Sequence, residues 1–582
     1  MYLKTVFLPA IFLLLSIYSF AQQIPVSVHA EESAYYHAYY QKQPAQTSST
    51  YFRGSPTGLR QMVFGYHPYW MNDSWGEYQW DKLSDLCYFS YEADPATGKP
   101  LTTNDFESAA VIDTALQHQV NVHICVTLFS GHSSFFANPA AQDTLIDRLY
   151  RLVLARGIQG INIDFEAIPS TQRVQFTNFM LRLSESIKSM SPGTMISIAS
   201  PAVNWNETFE LEKLAPAIDF FMVMCYDYYW NGSNTAGPVS CLYPSENAYN
   251  YSVARSIRYY LTLVPANKIV MGLPYYGRTW PVQAQTVPSA TRGSGSALMY
   301  KTIRNNAQGF YAWNTKHYEP NSRSTYYAYQ ANGWNQCFVD DCNSLEKKYD
   351  LALGYNLKGI GIWALGYDEG YPELWNLIGE KFTPDAGMNC TDTISDSGGR
   401  LFTSDEEASN VFVIKPIGGG PVNLNFLNTD LNGSAIRIYD GQDTLAPLLV
   451  NLSGTRIPEP VTSSGPALTI QLIRNNSSAF EPEYSYTWNC PSAGLSDTKL
   501  TGEISVYPNP SNGNFRVEFS NRSNETACYF LFNAAGRLMT EGKTETNGTI
   551  TFSDEYTRQP GIYFLRILTS QNIMTSRVMV IR

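Results

Sequence analysis

The stretch Gly157–Pro169, which reads GIQGINIDFEAIP, decides how the rest of the chain is interpreted. Apolar and polar residues alternate along it, and side chains on a β-strand point alternately to its two faces. Its polar residues Asn162, Asp164 and Glu166 are therefore expected on one face, where unpartnered buried charges would be costly. Two carboxylates at a strand end that faces a cleft suit acid catalysis at a glycosidic bond. A half-exposed edge strand would show the same alternation, so the pattern alone leaves both interpretations open.

Strand-like and helix-like segments alternate from Gln61 to about residue 383, which is typical of a parallel α/β sheet. Eight βα units over roughly 250 residues or more fit a TIM barrel, in which the active site lies where the strands end. Glu166 stands at the end of the fourth strand candidate. The eight candidates are Met62–Tyr66, Asp85–Ser90, Val122–Phe129, Gly160–Phe165, Met195–Ser200, Phe220–Tyr226, Ile269–Leu273 and Gly359–Ala364.

Motifs at the ends of these strands resemble those of glycoside hydrolase family 18, which contains chitinases and β-N-acetylglucosaminidases. The central stretch matches the last two of the four acids in the D-x-x-D-x-D-x-E signature, whereas Gln159 and Asn162 depart from it. The resemblance implies a TIM barrel over residues 61–383, with a small α+β insertion at about residues 283–357 as one wall of the substrate groove. The other matching segments are GYHPYW at Gly65–Trp70, ASPA at Ala199–Ala202, MCYD at Met224–Asp227, GLPYYGRTW at Gly272–Trp280 and GIGIWALGYD at Gly359–Asp368.

The same resemblance implies a separate role for each of the site residues. Glu166 would protonate the leaving glycosidic oxygen, and the substrate's own 2-acetamido oxygen would act as the nucleophile. Asp164 would orient the acetamido group, and Tyr226 would hydrogen-bond its oxygen. We expect no metal ion and no cofactor. The expected substrate contacts are Asn162, Asp227, Trp363 as a floor under the sugar ring, Tyr66, Arg278 and Met224.

Asn162 stands where many members of the family carry Asp. Because Asn holds no charge, we expect Asp164 to stay ionised and to pair mainly with Glu166, whose pKa burial and this neighbour would raise. The motif N-I-D-F-E is similar to the branch that contains bacterial spore-cortex and peptidoglycan glucosaminidases, so chitin, peptidoglycan and N-glycans all stay open as substrates. Two functions follow: a retaining hydrolase of β-1,4-linked N-acetylglucosamine polymers, which the presence of Glu166 favours, or a non-hydrolytic, lectin-like surface protein.

The N-terminal part of the chain predicts export. Lys4, an apolar run that follows it and a small residue at position 21 are typical of a signal peptide, residues 1–21. The polar segment 22–60 is predicted to be a flexible leader without a core. The chain has 40 Lys and Arg against 51 Asp and Glu, for a net charge of −11, which makes nucleic acid a poor partner.

The chain has nine cysteines, and export makes disulfides possible. Three of them, Cys87, Cys125 and Cys225, lie in apolar strand-like segments and are predicted to be buried thiols. Cys337 and Cys342 are close in sequence and are a candidate pair, but the sequence leaves the disulfide pairing open.

Beyond the barrel, helical periodicity gives way to short alternating runs. Those between Cys390 and Cys490 predict a β-sandwich, and two segments in it, at residues 438–441 and 463–470, resemble a CUB domain, which would be a binding module or a rigid spacer. Residues 502–582 predict another all-β unit, whose segments YPNPSNGNF and GIYFLRI resemble the C-terminal sorting domain of type IX secretion. This resemblance implies export across the outer membrane of a Gram-negative bacterium to the cell surface or the medium, with the secretion machinery as a partner. We expect a monomer.

Overall fold

The computed structural model describes residues 26–40, 58–245, 251–384, 386–400, 409–475, 480–490 and, with short gaps, 504–581. The predicted signal peptide, residues 1–21, lies outside these residues. Within the described ranges, no helix combines the length and the apolar character that crossing a membrane requires.

Eight parallel strands close into a barrel, as the sequence predicts. Each strand pairs in parallel with its neighbours, and the first pairs with both the second and the eighth, which closes the ring. The strands are β1 (Met62–Pro68), β2 (Asp85–Ala93), β3 (Asn121–Leu128), β4 (Gly160–Phe165), β5 (Met195–Pro201), β6 (Phe220–Met224), β7 (Ile269–Pro274) and β8 (Gly359–Trp363).

Both faces of β4 are buried, and its alternating sequence explains how. Phe165 points outward and packs against Phe135 and Phe179 of the covering helices, with ring centroids 5.7 and 5.8 Å apart. Asn162 and Asp164 point inward and are fully buried. The helices cover the outside and side chains fill the inside, as in other barrels of this kind. The covering helices are Ala110–Gln117, His132–Phe136, Pro139–Arg156, Arg173–Met190, Leu211–Leu214, Val253–Leu263, Cys342–Gly354 and Glu373–Phe382.

An antiparallel five-stranded sheet lies between β7 and β8, in the region where the family resemblance implies a small α+β insertion. Its first strand, Tyr276–Pro281, follows β7 almost directly, so Arg278 belongs to this sheet although it starts beside the barrel. The other elements of the insertion are the strands Ser296–Met299, Lys316–Glu319, Ser324–Gln330 and Trp334–Val339 and the helix Tyr300–Asn305.

The candidate pairing of Cys337 with Cys342 does not form. Cys337 lies within a strand of the inserted sheet and is a free, buried thiol. Cys342 begins the next helix, and its Sγ contacts the backbone oxygen of Glu373 at 3.5 Å. The turn from strand to helix directs the two side chains to different neighbours. The predicted thiols Cys87, Cys125 and Cys225 are buried and free.

Two four-stranded antiparallel sheets follow the barrel, and a disulfide joins Cys390 before their first strand to Cys490 after their last, with a Cα–Cα distance of 5.3 Å. The resemblance of this unit to a CUB domain stays a prediction. One sheet contains Thr391–Arg400, Phe480–Asn489, Asn423–Asp430 and Val461–Thr462, and the other contains Ser409–Ile414, Leu468–Ile473, Ala435–Tyr439 and Leu448–Ser453.

The C-terminal unit is also built from two antiparallel sheets. It contacts the barrel insertion through Glu541, which accepts hydrogen bonds from Arg304 at 3.1 Å and from Lys316 at 3.0 Å. One sheet contains Ile504–Tyr507, Phe515–Phe519 and Thr549–Phe552, and the other contains Leu538–Thr544, Ala527–Asn533, Gly561–Leu568 and Ile573–Val580.

The flexible leader predicted for residues 22–60 is wrong for residues 28–39, which form a helix, α1 (Val28–Tyr39). Ser27 caps its start by accepting a hydrogen bond from the Ala30 N–H at 3.1 Å. A helix of this length is only marginally stable alone in water, so its stability depends on what it packs against. Its buried residues Val28, His29, Glu32 and Ser33 enter the mouth of the barrel. The polar composition of the segment concealed this helix, which combines polar contacts with the burial of Val28 and the stacking of Tyr36 on Trp70.

Candidate active site

The side chains of Asp164, Glu166 and Tyr226 converge at the carboxyl ends of β4 and β6. They share one neighbour, the imidazole of His29 on α1. His29 Nδ1 lies 2.8 Å from Asp164 Oδ2 and 3.3 Å from Glu166 Oε1, and His29 Nε2 lies 2.8 Å from the Tyr226 hydroxyl. The two predicted carboxylates therefore face one point, and the predicted tyrosine approaches the same ring through its other nitrogen.

Trp363, at the end of β8, forms the floor of the site. Its indole is fully buried and stacks on the His29 imidazole, with centroids 3.7 Å apart and planes 28° apart. Its Nε1–H donates a hydrogen bond to Glu32 at 3.0 Å. The His29 imidazole therefore lies on the Trp363 indole, where the sequence analysis expects the sugar ring of the substrate.

Asn162 and Tyr66 lie beneath the acidic pair and interact with each other. The Tyr66 hydroxyl donates to Asn162 Oδ1 at 2.9 Å, and the Asn162 amide donates to Ser197 at 2.8 Å. Both residues are fully buried, and they support the floor of the site from inside the barrel. The buried Met224 ends β6, immediately before the turn that carries Tyr226.

Asp227 and Arg278 form the side of the cleft that faces the insertion. Asp227 accepts hydrogen bonds from the Tyr276 hydroxyl at 2.7 Å and from the Val28 N–H at 2.8 Å. Arg278 is fully buried and lies 3.4 Å from Asp227 and 3.0 Å from Glu31. A buried guanidinium with two carboxylate partners is compensated in charge. The structure therefore brings every predicted site residue to this end of the barrel or directly beneath it.

The expectation that Asp164 pairs mainly with Glu166 is wrong in this structure, because His29 stands between the carboxylates. Burial opposes a charged imidazole, but the charges and hydrogen bonds of Asp164 and Glu166 outweigh burial and raise the pKa of His29 to about 10. Burial and the neighbouring Asp164 raise the pKa of Glu166, and hydrogen bonds with His29 and Ser27 partly oppose that rise. The raised pKa of Glu166 is the direction that an acid catalyst needs near neutral pH.

The ligand atoms of His29, Asp164 and Glu166 lie within 4.8 Å of one another, which is close enough for a divalent cation to be considered. The direct 2.8 Å contact of His29 with Asp164 makes this arrangement an ion pair, because a metal ion would have to stand between the two atoms. The group is therefore described as two carboxyl groups that contact one imidazole.

A TIM barrel that presents two neighbouring carboxyl groups at the carboxyl ends of its strands is an arrangement typical of glycoside hydrolases. The chain belongs to the glycosyl hydrolases family 18, whose profile matches residues 37–368, more than half of the chain. A secretion system C-terminal sorting domain matches residues 505–581. The protein is therefore exported through type IX secretion, to the cell surface or the medium.

Relatives of the chain include enzymes of bacterial spores. A putative sporulation-specific glycosylase of Bacillus subtilis is 28% identical over 335 residues, which cover 55% of this chain and 72% of the relative. A cortical fragment-lytic enzyme of the same organism is 26% identical over 235 residues, covering 39% of this chain and 50% of that enzyme. Among solved structures, the group IV chitinase of Ostrinia furnacalis in complex with allosamidin is 21% identical, with a TM-score of 0.47, covering 56% of this chain and 96% of that one.

Sequence reasoning missed the residues that α1 contributes, namely His29, Glu31 and Glu32. The signals for a helix are present: Ser27 can cap it, and Ala30 and the two glutamates favour its first turn. No periodic apolar stripe marks the segment as packed, and nothing local shows that its partners lie more than a hundred residues away. The position of α1 in the cleft was therefore beyond prediction.

Proposed function

We propose that this glycoside hydrolase cleaves β-1,4-linked N-acetylglucosamine polymers with retention of the anomer, using the substrate's acetamido group as the nucleophile. The observation that carries the proposal is the convergence of Asp164, Glu166 and Tyr226 on one point above the indole of Trp363. An acid, a fixed anion and a hydroxyl around one ring position are the groups that this chemistry requires.

Glu166 acts as the acid and then as the base. Its raised pKa keeps a proton available for the glycosidic oxygen as the bond to C1 breaks. The acetamido oxygen attacks C1 from the opposite side and forms a cyclic oxazolinium ion. Water then opens this ion while Glu166 takes its proton, so two displacements at C1 retain the anomer.

Asp164 orients and stabilises the acetamido group. Its Oδ2 faces the position now held by His29, while Oδ1 is buried and has no hydrogen-bond partner among the residues that the structure describes. An acceptor that loses its partner at a buried site is costly, so once His29 leaves, an acetamido N–H would replace the imidazole N–H at Oδ2. The negative charge of Asp164 then stabilises the positive oxazolinium ion, and the Tyr226 hydroxyl holds the acetamido oxygen.

The spore enzymes among the relatives support peptidoglycan-type glycans as the substrate class, in line with the N-I-D-F-E motif. A class V chitinase of Arabidopsis thaliana among the relatives keeps chitin as the competing substrate. The test is hydrolysis of N-acetylglucosamine oligomers and of purified peptidoglycan, with the anomer of the first product followed by NMR. We expect the β-anomer and faster release from peptidoglycan fragments. An initial α-anomer would contradict the mechanism, and turnover of chitin oligomers alone would contradict the substrate preference.

A further inference from the structure

Helix α1 occupies the cleft through the residues that the catalytic proposal needs. His29 contacts Asp164, Glu166 and Tyr226 and stacks on Trp363, and its side chain is fully buried. A sugar on Trp363 would overlap the imidazole ring. Substrate and α1 therefore compete for one volume.

The first turns of α1 also satisfy the polar groups on both sides of the cleft. The Val28 N–H donates to Asp227 at 2.8 Å, and Glu31 receives two hydrogen bonds from Arg278 at 3.0 and 3.2 Å. On the opposite side, Glu32 accepts hydrogen bonds from Trp363 at 3.0 Å and from the Tyr367 hydroxyl at 2.6 Å. The contacts of Glu32 are buried and those of Val28 and Glu31 are partly buried, unlike those of a segment that lies on a surface.

Contacts continue along the helix beyond the catalytic groups. The ring of Tyr36 stacks on Trp70, with centroids 4.5 Å apart and planes 11° apart. His37 pairs with Glu92 at 2.6 Å, and the Tyr40 hydroxyl hydrogen-bonds Asn72. The helix therefore covers a groove longer than one sugar, as a polymer substrate would require.

His29 reproduces features of the reacting sugar. It is a flat ring on the indole, it directs an N–H at Asp164 as the acetamido group would, and it carries positive charge near the carboxylates, where the proposed oxazolinium ion develops charge. The residues responsible, 28–32, precede residue 37, where the match to the family profile begins. These contacts are thus an addition to the hydrolase domain that the profile describes.

We infer that α1 is an intramolecular inhibitor of this enzyme, bound in the cleft where the proposed function puts the reacting sugar. The inference rests on the proposed function for the meaning of the cleft. Because α1 is covalently attached, its effective concentration at the cleft is high, and a soluble substrate competes poorly until the helix leaves or is cut away. The docked His29 also partly opposes the rise in the pKa of Glu166.

Point variants of the exported chain, beginning at residue 22, give the first test. Replacing His29 with Ala removes the central contacts, and kcat/KM for a chromogenic N-acetylglucosamine oligomer should rise about tenfold or more as the open form is populated. Tyr39→Ala is the matched control on the same helix, since that side chain is 70% exposed, and it should leave kcat/KM unchanged.

Cutting the connection between α1 and the barrel gives the second test and leaves every residue of the site intact. A recognition sequence for a specific protease replaces residues 44–50, and a scrambled sequence of equal length serves as the control. Before cutting, specific activity should not depend on protein concentration. After cutting, α1 becomes a separate peptide, so specific activity should rise on dilution. A synthetic peptide of residues 26–40 should restore inhibition, and its His29→Ala form should not.

The outcomes separate this inference from the proposed function. Equal specific activity before and after cutting at all dilutions, with no effect of the peptide, overturns inhibition by α1 while hydrolysis stands. If no form hydrolyses any glycan but the peptide displaces a bound oligomer, occupancy of the cleft by α1 is supported and the catalytic proposal fails. Activation by cutting together with re-inhibition by the peptide supports both.

Discussion

The Nδ1 atom of His29 lies 2.8 Å from Oδ2 of Asp164, although 135 residues separate them in the chain. The contact joins a helix before the barrel to the acidic strand end that the sequence identifies as catalytic. Both side chains are fully buried. The structure is therefore that of a glycoside hydrolase in which the carboxylates predicted to be catalytic already contact a helix of the same chain, so catalysis itself is measured in a His29→Ala background.

Glu166→Gln should abolish hydrolysis in the His29→Ala background while oligomer binding survives. Gln cannot give up a proton to the glycosidic oxygen, and loss of a general acid costs about 10²–10⁴-fold in kcat. Binding should persist because the contacts of Trp363 and Asp227 are untouched. Hydrolysis rates and calorimetric titration with the oligomer check both parts. Glu185→Gln, on the exposed side of a covering helix, is the control that should behave as the parent.

Asp164→Asn should lower the pKa of Glu166 toward its ordinary value, because the charge of Asp164 is one of the causes of its rise. Glu166 is active when protonated, so activity falls as pH rises through its pKa. The basic limb of the pH profile should therefore move to lower pH in the variant. NMR titration of the carboxyl carbon, labelled with ¹³C, measures the same shift even where residual activity is small. A limb or titration that stays in place would show that burial alone sets the pKa.

Glu32→Gln should strengthen docking of α1 above neutral pH in the otherwise unchanged exported chain. Burial raises the pKa of Glu32 to about 7 from the ordinary value of 4.5, against its hydrogen bonds with Tyr367 and Trp363. Glu32 binds its proton more tightly when α1 is docked, so docking weakens as pH rises from 4.5 to about 7. Above pH 7, Glu32 is ionised in both the docked and the undocked helix, and it makes docking no weaker. Gln accepts the same hydrogen bonds without a charge to bury.

The measurement for Glu32→Gln is the ratio of parent to variant activity, in which the pH dependence of catalysis cancels. The ratio should rise by roughly tenfold or more between pH 4.5 and 7 and then level off. His29→Gln, which loses the central cation, should instead activate at both ends of the range. A parent-to-variant ratio independent of pH would argue against an ionised Glu32 at the cleft.

Removing the disulfide of the first β-sandwich unit, by Cys390→Ala with Cys490→Ala, should destabilise that unit without changing catalysis. The bond closes a loop with a sequence separation of 100, and the chain-entropy model assigns about 4.7 kcal/mol to a loop of this size. Denaturant unfolding should show an earlier transition for this unit, while kcat/KM stays that of the parent. Cys87→Ala, at a free buried thiol in the barrel, controls for loss of a cysteine as such. A loss of kcat/KM in the double variant would instead tie this unit to the substrate cleft.

The barrel and its acidic pair could be predicted because their signals are local. The alternation of polar and apolar residues along β4 places Asn162 and Asp164 on the opposite face from the outward-facing Phe165. The motifs at the strand ends follow one another along the chain in the order that the family shows. The candidate pairing of Cys337 with Cys342 does not form, for the complementary reason: nearness in sequence says little about direction when a strand turns into a helix.

The sequence by itself determined the hydrolase barrel, the position of Glu166 and Asp164 at its mouth and the sorting domain at the C-terminus, because strand periodicity and short motifs are written into neighbouring residues. Only the tertiary structure decided that residues 28–39 form a helix and that His29 enters the site. That helix is held by hydrogen bonds and ion pairs to groups far along the chain. Such contacts do not produce the periodic apolar pattern from which a packed helix is predicted.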